Sequence, residues 1–95
     1  MNITGFTLEK LEDPTGILVG DRYEYIIDIE VPEDDELFSE KGLFVKVIYV
    51  VDGNEQRIAQ YQIFEKITHT YLDFELEEEE LQLIHVFCKE NLESL

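Results

Sequence analysis

The sequence predicts an α+β domain: a mostly antiparallel five-stranded meander sheet with a C-terminal helix packed on one face. Three observations carry that prediction. Residues 22–31, RYEYIIDIEV, put Tyr23, Tyr25, Ile27, Ile29 and Val31 at odd positions and Arg22, Glu24, Asp28 and Glu30 at four of the five even ones. Such alternation marks a strand with one face on a core and one in water, and strands buried on both faces do not carry so many carboxylates. Residues 43–51 are apolar at eight of nine positions, which suits a central strand covered over much of both faces. From residue 77 the apolar spacing changes to threes and fours through Leu81, Ile84, Cys88, Leu92 and Leu95, the pattern of an amphipathic helix.

The elements follow in order. A first strand near residues 2–12 holds Phe6 and Leu8 on one parity and Ile3 and Leu11 on the other, so it needs an irregularity, which Gly5 supplies as a bulge. Asp13-Pro14-Thr15-Gly16 matches a type I turn, with Asp first, the fixed φ of Pro second and Gly fourth. Setting Asp13 opposite Gly16 pairs Phe6 with Tyr23 and Thr4 with Tyr25. Phe6 and Leu8 then share the face of the odd residues of a second strand, 17–31, bent at Gly20-Asp21. Residues 32–42, PEDDELFSEKG, begin with Pro, carry four acids in the first turn and end on Lys41-Gly42. These start and stop signals predict one or two helical turns, although no capping residue precedes Pro32.

Strands near 43–51 and 55–66 flank a turn at Asp52-Gly53-Asn54-Glu55. A two-residue loop sets Asp52 against Glu55, an unfavourable like-charge pair. A three-residue loop ending on Asn54, which tolerates the left-handed conformation, instead pairs Leu43 with Ile63, Val45 with Tyr61 and Val47 with Ala59. It keeps the apolar set on one face and is the expected arrangement. A fifth strand near 70–76 alternates with Leu72, Phe74 and Leu76 as its apolar set. The helix spans about 77–93, with glutamates in its first turn where the helix dipole favours anions. The expected core is Phe6, Leu8, Tyr23, Tyr25, Ile27, Ile29, Val45, Val47, Tyr61, Leu81, Ile84 and Cys88.

Composition bounds the function. Ninety-five residues make one domain, 1–95, too short for a (β/α)₈ barrel of roughly 200 residues or more. With 44% hydrophobic residues the chain folds despite a formal charge of −16. Seven basic against 23 acidic residues argue against direct binding of nucleic acid or an anionic membrane, both polyanions that select Lys and Arg. A basic protein is the natural partner, met by a surface that mimics the charge of nucleic acid. One cysteine excludes an intrachain disulfide, the start of the chain lacks a signal-peptide pattern, and no apolar run approaches a membrane span of about 18 residues. The expected location is cytosolic.

Chemistry-bearing constellations are few. His85 and Cys88 stand three apart and, with His69, are the only soft metal ligands. Free Cys more often fills a core. The acidic runs 33–36 and 77–80 lack the EF-hand arrangement and read as solvated turns. No nucleophile elbow, P-loop or dinucleotide fingerprint is present. An alternative reading, a small carboxylate- or metal-dependent hydrolase, therefore has no nominated residue, and no catalytic residue, metal or cofactor is assigned. Two surface features point to binding instead. Glu24, Asp28 and Glu30 form an acidic strip if the sheet is open on that side. Leu83, Val86 and Phe87 widen the apolar arc of the helix beyond what one sheet face covers, so the helix is either buried on more than one side or part of an interface, including that of a homodimer.

The pieces EKLEDPTGILVGDRYEY and DIEVPEDDELFSE and the acidic C-terminal helix resemble a family of short acidic proteins of unknown function from Gram-positive bacteria. The resemblance covers nearly the whole chain and implies a bacterial cytosolic origin. Members have at times been called pullulanase by automated naming, an activity the chain length speaks against. The resemblance implies no catalytic residues.

Overall fold

β1 (Asn2–Leu11), β2 (Asp21–Glu30), β3 (Leu43–Asp52), β4 (Glu55–Glu65) and β5 (Tyr71–Leu72) form one sheet in sequential order, followed by the helix α1 (Glu78–Asn91). All neighbouring strands are antiparallel. This computed structural model describes residues 1–16, 20–36 and 38–92. The alternation in β2 resolves as predicted, with Tyr25, Ile27 and Ile29 buried and Glu24, Ile26 and Asp28 half-exposed.

The first hairpin keeps its faces but not its register. Leu8 pairs with Tyr25 and Phe6 with Ile27, four residues away from the expected pairing of Phe6 with Tyr23. An even shift preserves which face each side chain occupies. The Asp13-to-Gly16 turn does form, with the Gly16 N–H donating to the Asp13 carbonyl at 3.2 Å. Strand pairing, however, begins only at Leu11 and Arg22, so the turn lies within a longer connection. Residues 17–19, expected to open the second strand, lie outside the described residues. Gly5 follows a register irregularity between Ile3 and Gly5, the predicted bulge, and it returns Ile3 to the face opposite Ile29.

At the β3–β4 turn Asp52 stands opposite Glu55, so the loop has two residues, not three. The positive φ, 61°, falls on Gly53, as in a type II′ hairpin turn. Both carboxylates lie at the hairpin tip, Glu55 exposed and Asp52 half-exposed, where water screens their repulsion. The apolar set is realigned instead by a bulge: Ile48 pairs with Gln60 and Tyr49 with Ile58, leaving Ala59 as the extra residue. Val45 therefore pairs with Ile63 and Val47 with Tyr61.

Two further expectations are corrected. The described residues of 32–42 form successive turns, closed by hydrogen bonds from Asp35 to Pro32, Phe38 to Asp35 and Gly42 to Ser39, with no helix. Helices this short are marginal in water unless an apolar face is buried, and Phe38 stays exposed. The fifth strand ends at Leu72 because the Phe74 N–H donates to the Leu72 carbonyl at 2.9 Å, a tight turn that takes the chain out of the sheet. Phe74 is consequently exposed and Leu76 buried.

α1 runs across the strands on the core face. Leu81 lines one concavity with Tyr61 of β4, His85 rests on Tyr49 of β3, the Tyr25 hydroxyl of β2 donates to the Cys88 carbonyl at 2.7 Å, and Phe87 meets Phe6 of β1 edge-on. The helix begins although Glu77 is a poor cap by type, since the Glu80 carboxylate accepts the Glu77 N–H at 3.0 Å. Residue 93, the expected helix end, lies outside the described residues. Ile84 and Cys88 are fully buried with Tyr25, Ile27, Val45, Val47, Tyr49 and Ile63. Of the other expected core residues, Ile29 is buried and Phe6, Leu8, Tyr23, Tyr61 and Leu81 pack around the core half-buried. Replacing Tyr25 by Phe removes the bond from sheet to helix and keeps the ring; urea unfolding is expected to show a loss of about 1 kcal/mol.

Candidate binding surfaces

The even residues of β2 lie on the sheet face opposite α1, so the acidic strip exists. It is partly neutralised: the Lys46 ammonium lies 3.8 Å from Glu24 and that of Lys66 lies 3.4 Å from Asp28. Half-exposed pairs of this kind add little stability. They do offset two of the strip's three negative charges and leave Glu30 exposed. On the helix, Leu83 and Val86 are 44% and 39% exposed, whereas Phe87 is half-buried with its ring centroid 5.0 Å from that of Phe6. The surplus arc is thus divided between intramolecular packing and solvent.

A stronger concentration of charge arises where the sequence showed two separate runs. Asp35 and Glu36 from the β2–β3 connection, Glu75 from the segment after β5, and Glu77 and Glu80 from the start of α1 line one cleft of about 370 Å³ around Phe74. No Lys, Arg or His lines it. The turn after Leu72 builds this cleft, because it carries Phe74 and Glu75 out of the sheet. The sequence signal was the two acidic runs themselves; the missing information was the turn that joins them.

A second concavity, about 550 Å³, lies between β4 and the first turns of α1, with Ile58, Tyr61, Leu81 and His85 in its walls. Its position depends on the Ala59 bulge, which sets Ile58 and Tyr61 on the same face although they are three residues apart.

The soft ligands do not converge. His69 packs edge-on against Phe44 on the open face, while His85 and Cys88 lie on the helix side. Among the described residues no group of three or more His, Cys, Asp or Glu is placed to hold a metal ion, and no polar or charged side chain is buried. Among those residues, too, no helix is long and apolar enough to cross a membrane. Burial pushes the Cys88 thiol up from 9.0 to about 12, so the native thiol is expected to resist thiol-specific reagents until the chain unfolds. The folded state holds this proton where the unfolded chain releases it. Stability from this group is therefore full below about pH 9 and falls as pH rises toward 12. Tyr25 and Tyr49, also raised by burial, act in the same direction. An alkaline unfolding titration checks the sign.

Fold and surface together define a small, acidic α+β domain with a meander sheet, one crossing helix and an acidic cleft at the start of that helix. The chain belongs to a family of unknown function, DUF6509, which matches residues 1–95. No curated protein and no solved structure matches it.

Proposed function

We propose that this protein is a non-catalytic interaction domain that binds a basic protein partner, and that the acidic cleft is its main contact. The observation that carries this reading is the convergence of five carboxylates from three chain segments around Phe74, which is 42% exposed, with no cationic side chain in the lining. Concentrating like charge opposes folding, so a cationic partner accounts for an arrangement that packing does not require. A Lys or Arg seated there meets several carboxylates and the face of Phe74, a cation–π contact of about 0.5–1 kcal/mol at an exposed site. Nucleic acid and anionic membranes are not expected to bind directly. The cytosolic location expected from the sequence belongs to the same proposal, and fractionation of source cells checks it.

The test is the triple substitution E75Q/E77Q/E80Q, in which the amide introduced by E80Q retains an oxygen to accept the Glu77 N–H. Calorimetry with a Lys/Arg-rich peptide is expected to give about tenfold weaker binding to the triple variant, from three exposed charges at about 0.5 kcal/mol each. Binding to the wild type is expected to weaken as salt rises. Equal affinity for both proteins removes the cleft from the account. Self-association through α1 ranks second, favoured by the exposure of Leu83 and Val86, because two side chains fall well short of the roughly 800 Å² per partner of a standard interface. It is expected to tighten with salt, and sedimentation showing a monomer at every salt concentration removes it.

A further inference from the structure

We infer that the open edge of β4 and the groove beside it take an extended segment of that partner by strand addition, its apolar side chains alternating into the groove. This rests on the basic-partner reading above and names the second half of the contact.

The edge is open because β5 is short. It pairs only with Ile63 and Phe64, and the chain then turns away at Phe74. It crosses Tyr61, whose hydroxyl accepts the Leu76 N–H at 3.0 Å. Among the described residues, positions 55–61 of β4 therefore have a strand neighbour on the β3 side alone. An unpaired edge presents a row of main-chain donors and acceptors. Strand addition uses that row for affinity and uses pockets for alternate side chains for specificity. Here the pocket is already built: Ile58 and Tyr61 form one wall and Leu81 and His85 the other. Its volume, about 550 Å³, lies within the common range for ligand sites of about 300–1,000 Å³.

The features of the edge select the occupant. The bulge at Ala59 and the exposed Glu55 and Arg57 are devices that keep a regular edge from pairing with its like. A second copy would also bring another −16 of charge to the contact. A single extended peptide follows the local twist and needs no such match. Charge sets its composition. Glu78 and Arg57 both line the groove and offset each other, so the bias comes from its end: Glu77 and Glu80 on the same helical turn as Glu78 line the acidic cleft, and a segment in the groove delivers its neighbouring residues to those carboxylates. The occupant is an extended segment with alternate apolar residues, flanked or interleaved by Lys and Arg.

The experiment is an amide NMR titration of the full chain with three peptides: alternating Lys-Val, a block peptide of the same composition, and oligolysine. The alternating peptide is expected to shift the amides of residues 55–61 together with Leu81 and His85, and to bind at least tenfold tighter than the block peptide. N-methylation of its backbone at one parity is expected to abolish those shifts, and at the other parity to leave them. Shifts confined to residues 35–36 and 74–80, equal for all three peptides, overturn strand addition and leave the basic-partner reading standing. Binding by none of the three overturns both. Concentration-dependent shifts at 55–61 without peptide assign the edge to a second copy and overturn the proposed occupant.

Discussion

Replacing Ile84 by alanine is expected to be the most damaging single truncation in α1, lowering the unfolding free energy by about 2–5 kcal/mol. Ile84 and Cys88 are the two fully buried side chains of the helix, and together they seat it over the centre of the sheet. Ile84 is the larger, and its loss leaves a cavity among close-packed side chains that relax only partially. Domains of this size hold only about 5–15 kcal/mol in all, so the loss is a large share of the total. Chemical denaturation gives the measurement. A loss below about 1 kcal/mol would mean that the helix is not anchored as described. Leu83→Ala, at an exposed position on the same helix, is the control and is expected to change stability by no more than about 0.5 kcal/mol.

Gly20→Ala carries the second large effect. Gly20 has φ of 81°, and a Cβ built there would stand 2.8 Å from the Val51 carbonyl oxygen. Two costs combine. A left-handed backbone costs a non-glycine residue about 1–2 kcal/mol, and the contact with main chain cannot be relieved by a side-chain rotation, so the entry into β2 must shift away from β3. A total of about 2–4 kcal/mol is expected from the sum of conformational strain and displacement. Gly16 supplies the internal comparison, since its φ is 67° but nothing lies within 4 Å of a Cβ there. Gly16→Ala should show the conformational part alone, about 1–2 kcal/mol. Equal losses at the two positions would remove the close approach to Val51 from the explanation.

The fold was legible where burial imposes a period. The alternation of Tyr25, Ile27 and Ile29 and the three-and-four spacing of Ile84 and Cys88 follow from which face must be dry, and the buried residues match. Register was less legible, because shifts by two or four residues leave every face unchanged; hence the turn at Asp13 to Gly16 predicts the right face for Phe6 opposite Tyr23, where the structure has Ile27. The β4 bulge was not legible: an extra residue in the loop and one at Ala59 within the strand both realign the apolar set, and the sequence does not reveal which of the two occurs. Leu43, Tyr49, Val50, Ile63 and Leu76, buried yet missing from the expected core, reflect a chain that closes more tightly around β3 than pattern alone shows. The acidic cleft was legible only in its parts. Asp35 and Glu36 share one cleft with Glu77 and Glu80 where the turn from Leu72 to Phe74 ends a strand that alternation carries on to residue 76.

The measurement that reaches the central claim most directly is affinity capture from a lysate of the source organism at low salt, followed by zero-length carboxyl-to-amine cross-linking and peptide mapping. The account predicts a retained basic protein that high salt releases, with its lysines joined mainly to Asp35, Glu36, Glu75, Glu77 and Glu80 and lost from the E75Q/E77Q/E80Q protein. Cross-links spread without preference over the 23 acidic residues, or a partner retained equally at low and high salt, would contradict it.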